Sequence, residues 1–269
     1  MRKSTWNLTG KSVVITGTAN GIGAATARIL TTRKTKLSLI DVQGSALRKL
    51  ALDLGVEAIC HEVDITQRKA LDVVLVKAGV VTVGSIESGN PHAFEHVMAV
   101  NLLGAWQTVR AVLPHVIAAQ SYILFVSSIA GTVQGPLHAA YNSSKAGLQA
   151  LANTLRLEVQ GLGGDIGTAH IIYTATETGR GAVEHPLIRG LPGLWMTKPQ
   201  PVEETAALLV RGMEHRSRTI ATPMTRLVLL VPNVCQLVVE RLARRNGWSA
   251  IIHDQEYAKE GEERRENQT

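Results

Sequence analysis

The sequence predicts an α/β fold built on a single doubly wound parallel sheet. Short apolar runs rich in β-branched residues alternate along the chain with segments of helical periodicity. These runs are apolar almost throughout, as in strands that are covered by helices on both faces. A glycine-rich turn separates the first run from the first helical segment. The alternation therefore predicts a buried parallel sheet with helices packed on its two faces.

The predicted elements follow in order from local composition. The predicted strands cover residues 11–16, 37–40, 56–60, 71–76, 122–126 and 168–173. The predicted helices cover residues 22–33, 46–54, 94–117 and 139–160; the first is rich in alanine, which allows close packing, and Pro114 lies near the end of the third. We expect one domain at 1–250, followed by a polar tail at 251–269 that is too charged to pack and should be disordered.

Composition limits the class of protein. The 269 residues are 45% hydrophobic and 19% charged, which is ordinary for a globular domain. The net charge of +6 is concentrated between Arg211 and Arg245, where seven arginines accompany two acidic residues. A nucleic-acid interface would require a binding motif or interleaved aromatic residues, and the sequence has neither. No nucleic-acid partner is therefore expected.

Cysteine usage and hydropathy indicate the compartment. Cys60 and Cys235 are far apart and have no neighbouring metal ligands, which fits a reducing compartment and predicts no metal site. The basic N-terminus has no apolar run behind it, and no stretch reaches the roughly 18 apolar residues of a membrane-spanning helix. We therefore expect a cytoplasmic protein.

The glycine-rich turn after the first strand is the first motif with chemical content. Glycines such as Gly17, Gly21 and Gly23 let a backbone approach a pyrophosphate, and the helix N-terminus supplies amide hydrogens. Asp41 ends the second strand, where a carboxylate can accept hydrogen bonds from a ribose and would repel a 2′-phosphate. No basic residue directly follows Asp41 and Asn20 is neutral, so NAD is favoured over NADP. A plain tight turn is the alternative.

Tyr141 and Lys145 lie four residues apart in a predicted helix and therefore on one face of it. The pKa of a phenol, about 10, is too high for acid–base catalysis at neutral pH, and a nearby cation lowers it. Ser128, thirteen residues before Tyr141, could polarise a carbonyl, whereas Ser127 faces the opposite side. This set predicts proton transfer at an alcohol oxygen while a hydride moves at its carbon. Chance spacing on a solvated helix is the alternative.

These motifs together resemble the short-chain dehydrogenase/reductase family, in its shorter-chain branch, from about residue 8 to residue 213. The landmarks in the family's order and spacing are the turn at 16–23, Asp41, Asp64, Ala78-Gly79, Asn101, Ser128, Tyr141 and Lys145. The resemblance implies a Rossmann-like sheet, an enzyme that uses a nicotinamide cofactor, and a homodimer or homotetramer.

The same resemblance implies a role for each matching residue. Tyr141 would be the general acid/base, Lys145 would lower its pKa and hold the nicotinamide ribose, and Ser128 would orient the carbonyl. Asn101 would position a water in the proton relay, unless it is only a helix-interior asparagine bonded to backbone. Thr176 would hold the carboxamide, unless it is an ordinary loop residue. The implied cofactor-binding residues are Gly17, Asn20, Gly21, Ile22, Gly23, Asp41, Asp64, Ile65, Ala78, Gly79, Tyr141, Lys145 and Thr176.

Three departures from the family pattern favour a second hypothesis, a nucleotide-binding or scaffolding protein with little turnover. Lys77 stands in place of an asparagine of Asn-Asn-Ala-Gly, and Ile171-Ile172 stands in place of a Pro-Gly turn. Residues 61–70 are too few for the usual helix between strands three and four. Because they must cover about 21 Å with an extended reach of about 33–36 Å, we expect a nearly extended strap and an exposed or partner-covered sheet face.

Two C-terminal segments bear on substrates and partners. Residues 177–200 form the predicted substrate loop, and their apolar side chains favour a small hydrophobic alcohol or carbonyl compound; packing on the core or on another subunit is the alternative. Residues 224–245 carry apolar side chains at helical spacing, flanked by arginines. Such a segment could contact an anionic membrane as a peripheral helix. Covering the core or pairing with another subunit is the favoured expectation.

Overall fold

Six apolar segments pair in parallel at the centre of the protein, in a computed structural model that describes residues 5–55, 71–192 and 199–254. The strand order is β2-β1-β3-β4-β5-β6, and every pairing is parallel. The strands are β1 (Ser12–Thr16), β2 (Lys36–Ile40), β3 (Val73–Val76), β4 (Tyr122–Ser128), β5 (Asp165–Ile171) and β6 (Thr219–Ile220). The predicted α/β fold with one doubly wound parallel sheet is thus confirmed.

Helices follow the strands along the chain. They are α1 (Gly21–Thr32), α2 (Gly44–Leu54), α3 (Pro91–Met98), α4 (Gly104–Ala118), α5 (Ala139–Glu158), α6 (Glu177–Glu184), α7 (Pro186–Arg189), α8 (Val202–Glu214), α9 (Pro223–Leu230) and α10 (Pro232–Arg245). Several start at recognisable signals. In α3, Asn90 accepts from the amides of His92 and Ala93, and Pro91 occupies the first turn, where a missing amide hydrogen does no harm.

Two apolar layers lie on opposite faces of the sheet. On one face α1, α2 and α8 contribute side chains such as Leu30, Leu47 and Leu209. On the other face α4 and α5 contribute residues such as Val112 and Leu148. Strands β1, β3 and β4 are mainly apolar because their alternating side chains enter both layers.

The structure differs from the sequence-based expectation in several places. Strand β6 escaped prediction because two residues carry no periodicity. The single predicted helix at 94–117 is two α-helices, joined by a π-helical turn at Ala99–Leu103 that contains Asn101. The exposed sheet face predicted beside β1 is not seen on the described strands, because the paired residues Val14 and Ser38 are both buried.

Several predictions fall on residues that the structure does not describe. The predicted strand at 56–60, the strap at 61–70 with Asp64 and Ile65, and the tail beyond 254 lie outside the described residues.

The glycine-rich turn between β1 and α1 is closely packed. Gly17 has φ +72°, and a Cβ placed on it would lie 2.8 Å from the Cα of Ala78, beyond the end of β3. A Cβ on Gly23 would lie 2.1 Å from the carbonyl oxygen of Gly17. Both neighbours are backbone, which cannot move aside as a flexible side chain can. The first turn of α1 therefore approaches the ends of β1 and β3 only because these positions are glycine.

We predict that Gly23→Ala lowers the free energy of unfolding by about 3 kcal/mol, because the added methyl overlaps the Gly17 carbonyl. The matched control is Gly181→Ala in α6, where a Cβ meets no atom within 4 Å. There alanine should be neutral or slightly stabilising, since it favours a helix by up to about 1 kcal/mol over glycine. Urea unfolding of the two variants measures both effects, and equal stabilities would contradict the packing argument.

Candidate active site

The candidate active site lies at the carboxyl edge of the sheet, where parallel strands place their following loops together. The glycine turn follows β1, Ala78 and Gly79 follow β3, and Ser128 ends β4. Helix α5 begins at Ala139 and carries Tyr141 and Lys145 in its first two turns. The topology therefore brings together motifs that are more than a hundred residues apart in sequence.

Tyr141 and Ser128 are neighbours at this edge of the sheet. Burial raises the pKa of Tyr141 above its usual range, and hydrogen bonding with Ser128 lowers it in part. The Ser128 hydroxyl also donates to the carbonyl of Ile171 at 3.3 Å and accepts from the amide of Ala130 at 3.2 Å. The predicted lowering of the phenol pKa by Lys145 is therefore wrong: burial raises this pKa, and Ser128 rather than Lys145 opposes the rise.

Lys145 is a buried cation beside the tyrosine. Its side chain is 5% exposed, its Nζ donates to the carbonyl of Val126 at 3.1 Å, and the same atom lies 5.6 Å from the centre of the Tyr141 ring. Burial, and then the charge of Lys77, lowers the pKa of Lys145 to about 8. Lys145 is therefore close enough to act on the phenol electrostatically, at a cost from its own desolvation.

Asn101 is fully buried and fixed in the π-helical turn between α3 and α4. Its Oδ1 accepts from the amide of Val80 at 2.8 Å, and its Nδ2 donates to the carbonyl of Val80 at 2.9 Å. The Nδ2 also donates at 3.0 Å to the hydroxyl of Ser144, which in turn donates to the carbonyl of Tyr141 at 2.8 Å. The asparagine is bonded to backbone, but to the loop after β3 and not to its own helix. Sequence reasoning missed Ser144, whose place one residue before Lys145 was the available signal.

Ser127 and Ser128 face different environments, as strand alternation predicts. The Ser127 hydroxyl is fully buried, donates to the carbonyl of Lys145 at 3.1 Å and accepts from Gln149 at 3.1 Å. Ser127 therefore anchors α5 to β4, while Ser128 bonds to Tyr141.

The start of α1 has the chemistry of an anion site. Asn20 occupies the N-cap position, yet its side chain makes no cap hydrogen bond. The side-chain Nδ2 of Asn20 donates instead to the Oε1 of Gln43 at 2.7 Å. The first amide hydrogens of a helix have no partner within the helix and carry its positive dipole end. The amides of Gly21, Ile22 and Gly23 thus begin a helix that has no side-chain cap, which fits a pyrophosphate.

Gly79 lies against the side chains of Asn101 and Lys145. A Cβ placed on it would be 3.2 Å from the Oδ1 of Asn101 and 3.4 Å from the Nζ of Lys145. The position therefore accepts no side chain without displacing one of these groups, and it joins Asn101 and Lys145 into one constellation.

Asp41 links the end of β2 to the glycine-rich turn by a hydrogen bond. One carboxylate oxygen accepts from the amide of Ala19 at 2.8 Å, and the other accepts from the amide of Gln43 at 2.9 Å. Turn stabilisation is therefore part of its role. Each carboxylate oxygen has a second lone pair, so the same group is able to accept from a ribose hydroxyl as well.

Thr176 lies against the glycine-rich turn at the start of α6. Its hydroxyl accepts from the amide of Gly179 at 3.0 Å, and its methyl lies 3.0 Å from the point where a Cβ on Gly21 would be. The preceding turn lacks the Pro-Gly pair but is held by Thr174, whose hydroxyl donates to the carbonyl of Ile172 at 3.1 Å. Despite the Ile171-Ile172 departure, Thr176 therefore lies beside Gly21 of the glycine-rich turn.

Lys77 takes a position that the sequence alone could not indicate. Its Nζ donates to the carbonyl of Gly17 at 3.1 Å, and its amide donates to the Thr16 hydroxyl at 3.0 Å. Burial lowers the pKa of Lys77, and the charge of Asp41 raises it in part. Lys77, in place of the family's asparagine, therefore still has a side chain bonded to the backbone of Gly17, and it adds a second buried ammonium near Lys145.

Comparison with known proteins agrees with this geometry. Residues 11–185 match the family model described as short chain dehydrogenase. The chain belongs to this family. Its sheet also superposes on a short chain dehydrogenase/reductase from Burkholderia phymatum, whose crystal structure is in complex with NAD. The TM-score is 0.72, covering 85% of this chain and 93% of that one at 22% identity, which shows a shared fold.

Curated relatives of this short chain dehydrogenase are more similar in sequence. The SadH protein of Mycobacterium tuberculosis is 32% identical over 168 residues, covering 56% of this chain and 61% of that protein. The uncharacterized oxidoreductase Lin0452 of Listeria innocua is 30% identical over 186 residues, which cover 62% of this chain and 75% of that protein. The 3-dehydrosphinganine reductase TSC10B of Arabidopsis thaliana is 31% identical over 167 residues, which cover 55% of this chain and 50% of that protein. The chain thus spans less than two thirds of the length of SadH.

Two further observations concern the described part of this short chain dehydrogenase. Within residues 5–55, 71–192 and 199–254, no three His, Cys, Asp or Glu side chains are grouped so that they could hold a metal ion. In the same residues no helix is both long enough and apolar enough to cross a bilayer.

We predict that Lys145→Met raises the free energy of unfolding at pH 7 by about 1 kcal/mol. A pKa lowered from 10.5 to about 8 means that the buried charge costs about 3 kcal/mol. Leaving the Val126 carbonyl without its donor returns about 2 kcal/mol of that.

The pH dependence of this difference identifies its cause. The unfolded lysine keeps its proton up to about 10.5, and the folded one loses it near 8, so the penalty is complete below pH 8 and disappears as pH rises to 10.5. The stabilities of wild type and Lys145→Met in urea should therefore cross between pH 8 and pH 10.5, with the variant about 2 kcal/mol the less stable at the upper end because its Val126 carbonyl stays unpaired. A variant less stable than wild type at pH 7 would contradict this account.

Proposed function

We propose that this protein is an oxidoreductase that transfers a hydride between NAD(H) and a secondary alcohol or ketone. The observation that carries the proposal is the position of the Lys145 ammonium, 5.6 Å from the centre of the Tyr141 ring, with Ser128 as a neighbour of the phenol. A proton donor or acceptor, a group that orients an oxygen and a cation thus lie together, at the same edge of the sheet as the uncapped start of α1. That combination suits chemistry at an alcohol oxygen.

The proposed reaction divides between cofactor and chain. A bound nicotinamide would supply or accept the hydride at the substrate carbon. Tyr141 would give a proton to the oxygen during reduction, or take one during oxidation. Because burial raises its pKa, the phenol is protonated at neutral pH and ready to donate. Ser128 would hold the same oxygen through its hydroxyl, and Lys145 would stabilise the phenolate that remains.

Asp41 supports NAD over NADP as the cofactor. Its carboxylate is held at the end of β2 by the amides of Ala19 and Gln43. A fixed negative charge there would accept from a ribose hydroxyl and repel a 2′-phosphate. Lys77 adds a cation near Asp41, but its Nζ donates to the Gly17 carbonyl and its pKa is lowered by burial.

The substrate is proposed to be a small hydrophobic alcohol or carbonyl compound, on the basis of the apolar composition of residues 177–200. Part of that segment serves packing: Leu187, Ile188 and Leu191 are buried in a cluster with Leu137 and Trp248. Residues 193–198, with Trp195, lie outside the described residues. We also propose a homodimer or homotetramer, supported by the exposure of Phe94, Leu103 and Trp106 along the run of α3 and α4.

We predict that Tyr141→Phe and Ser128→Ala each lower kcat on an apolar secondary alcohol by about 10²–10⁴-fold, because the proton donor or the orienting hydroxyl is lost. The matched control is Ser127→Ala, which removes a buried hydroxyl one residue away whose partners in the described chain are the Lys145 carbonyl and the Gln149 side chain, both in α5. It should lower stability and leave kcat within about threefold. Reduced-cofactor absorbance at steady state measures all three.

Cofactor binding separates the proposal from the scaffold hypothesis, which the buried cation at Lys77 favours. Protein fluorescence should show tighter binding of NADH than of NADPH, with the difference reduced in Asp41→Ser. Binding of NADH without turnover, unchanged in Tyr141→Phe, would support a scaffold. Absence of binding by either nucleotide would overturn both hypotheses.

We predict that Lys77→Met moves the alkaline limb of the pH profile of kcat/KM to higher pH. The charge of Lys77 lowers the pKa of Lys145, so its removal should let Lys145 keep its proton at higher pH. The control Lys77→Arg retains the charge and should leave the limb in place. Superimposable profiles for wild type and Lys77→Met would show that the two lysines are not coupled.

A further inference from the structure

Exposed apolar side chains are concentrated in the two helices that follow β6. Of the fifteen large apolar side chains exposed in the described residues, seven lie between residues 224 and 238. They are Met224, Leu227, Leu230, Val231, Val234, Leu237 and Val238. We call the solvent-facing side of residues 224–245 the docking face. Exposed apolar side chains concentrated in one segment are typical of an interaction site, whereas residues exposed singly are not.

The docking face belongs to helices that are fixed to the protein. On the opposite side of α10, Val239 and Ala243 pack against the cluster that contains Leu137, Leu191 and Trp248. At the start of α10, the side-chain oxygen of Gln236 accepts from the amide of Gln134 at 2.9 Å. Because α10 is held from behind, the favoured expectation that residues 224–245 cover the core accounts for only one side of it. The exposed side has no cover within the described chain.

Charge distinguishes the possible occupants of this face. Val234, Leu237 and Val238 lie in the first half of α10, and Arg241, Arg244 and Arg245 continue the same exposed side in the second half. Arg226 adds a further exposed arginine on α9, and Glu240 is the one acidic residue between 223 and 245. Two copies paired through this face would bring arginines together or press them on apolar side chains. A surface with an apolar interior and anionic groups outside is complementary both to the apolar side chains and to the arginines.

We propose that the docking face binds the surface of an anionic lipid bilayer. The apolar side chains of α9 and the first half of α10 would enter the boundary between headgroups and acyl chains, and the arginines would contact phosphates. Each basic residue near such a surface contributes about 1 kcal/mol, an attraction that salt screens. The helices would lie in the plane of the membrane surface and would not cross it.

The docking face is connected to the segment that flanks the proposed substrate site. After α10, the side chains of Asn246 and Trp248 donate to the carbonyl of Pro192, at 3.2 and 2.9 Å. Docking would therefore hold residues 186–192 close to the lipid surface. The consequence that an apolar substrate arrives from the bilayer rests on the proposed function, whereas lipid binding itself does not.

The test is flotation of the full-length protein with vesicles, without cofactor or substrate. Vesicles of phosphatidylcholine are compared with vesicles that also contain phosphatidylglycerol. We expect at least tenfold stronger binding to the anionic vesicles, and loss of most of it at about 0.5 M salt. Equal binding to both, or binding to neither, would overturn the proposal.

Paired variants locate the site. Leu230→Glu with Val234→Glu, and separately Arg241→Gln with Arg244→Gln and Arg245→Gln, should each reduce flotation at least tenfold. The matched controls Leu157→Glu and Arg48→Gln change equally exposed residues elsewhere and should bind as wild type does. Far-ultraviolet circular dichroism confirms that each variant is folded.

Light scattering separates the lipid surface from a second copy of the chain. We expect the oligomeric state in solution to be the same for wild type and the Leu230→Glu, Val234→Glu variant. A change to smaller particles would assign this face to a subunit contact and overturn the proposal. Turnover of a water-soluble alcohol should remain within twofold in the same variant, so failure of the proposed function and failure of lipid binding remain distinguishable.

Discussion

The buried ammonium of Lys145 is the interaction on which the arrangement of the site depends. One hydrogen bond to the Val126 carbonyl holds it between β4 and α5, and burial lowers its pKa to about 8. Such a charge costs the folded state stability, so it persists only where the surrounding packing fixes it. Here Ser127 ties α5 to β4 through the Lys145 carbonyl. The sheet and its apolar layers thus hold a group in place that by itself would favour water.

Much of the fold was predictable because parallel strands buried on both faces have a distinctive composition. The strands around Val14, Val74 and Phe125 were recognised for this reason, and their order brings distant motifs to one edge. The two-residue strand β6 was not, since it has no period to detect. The π-helical turn around Asn101 escaped too, because a change in backbone hydrogen bonding leaves the apolar pattern of the helix almost unaltered.

The candidate site was predictable in its residue types and less so in its electrostatics. Spacing alone selected Ser128 over Ser127, and alternation along β4 explains why they differ. The sequence could not show that burial raises the pKa of Tyr141, because desolvation depends on what covers a group and not on its neighbours in sequence. For the same reason the position of Lys77 was not predictable. A flexible cation could have pointed to solvent, yet its Nζ bonds to Gly17.

The positive groups at this edge of the sheet explain why an anionic ligand suits it. Lys77 and Lys145 are both buried, and the charge of the first lowers the pKa of the second. The uncapped start of α1 adds the positive end of a helix dipole. Among the described residues, Asp41 is the acidic group that opposes them near Lys77, and its oxygens are already bonded to backbone amides. Two negative phosphates would relieve repulsion that the folded chain otherwise bears, so the same charges that lower stability would favour a dinucleotide.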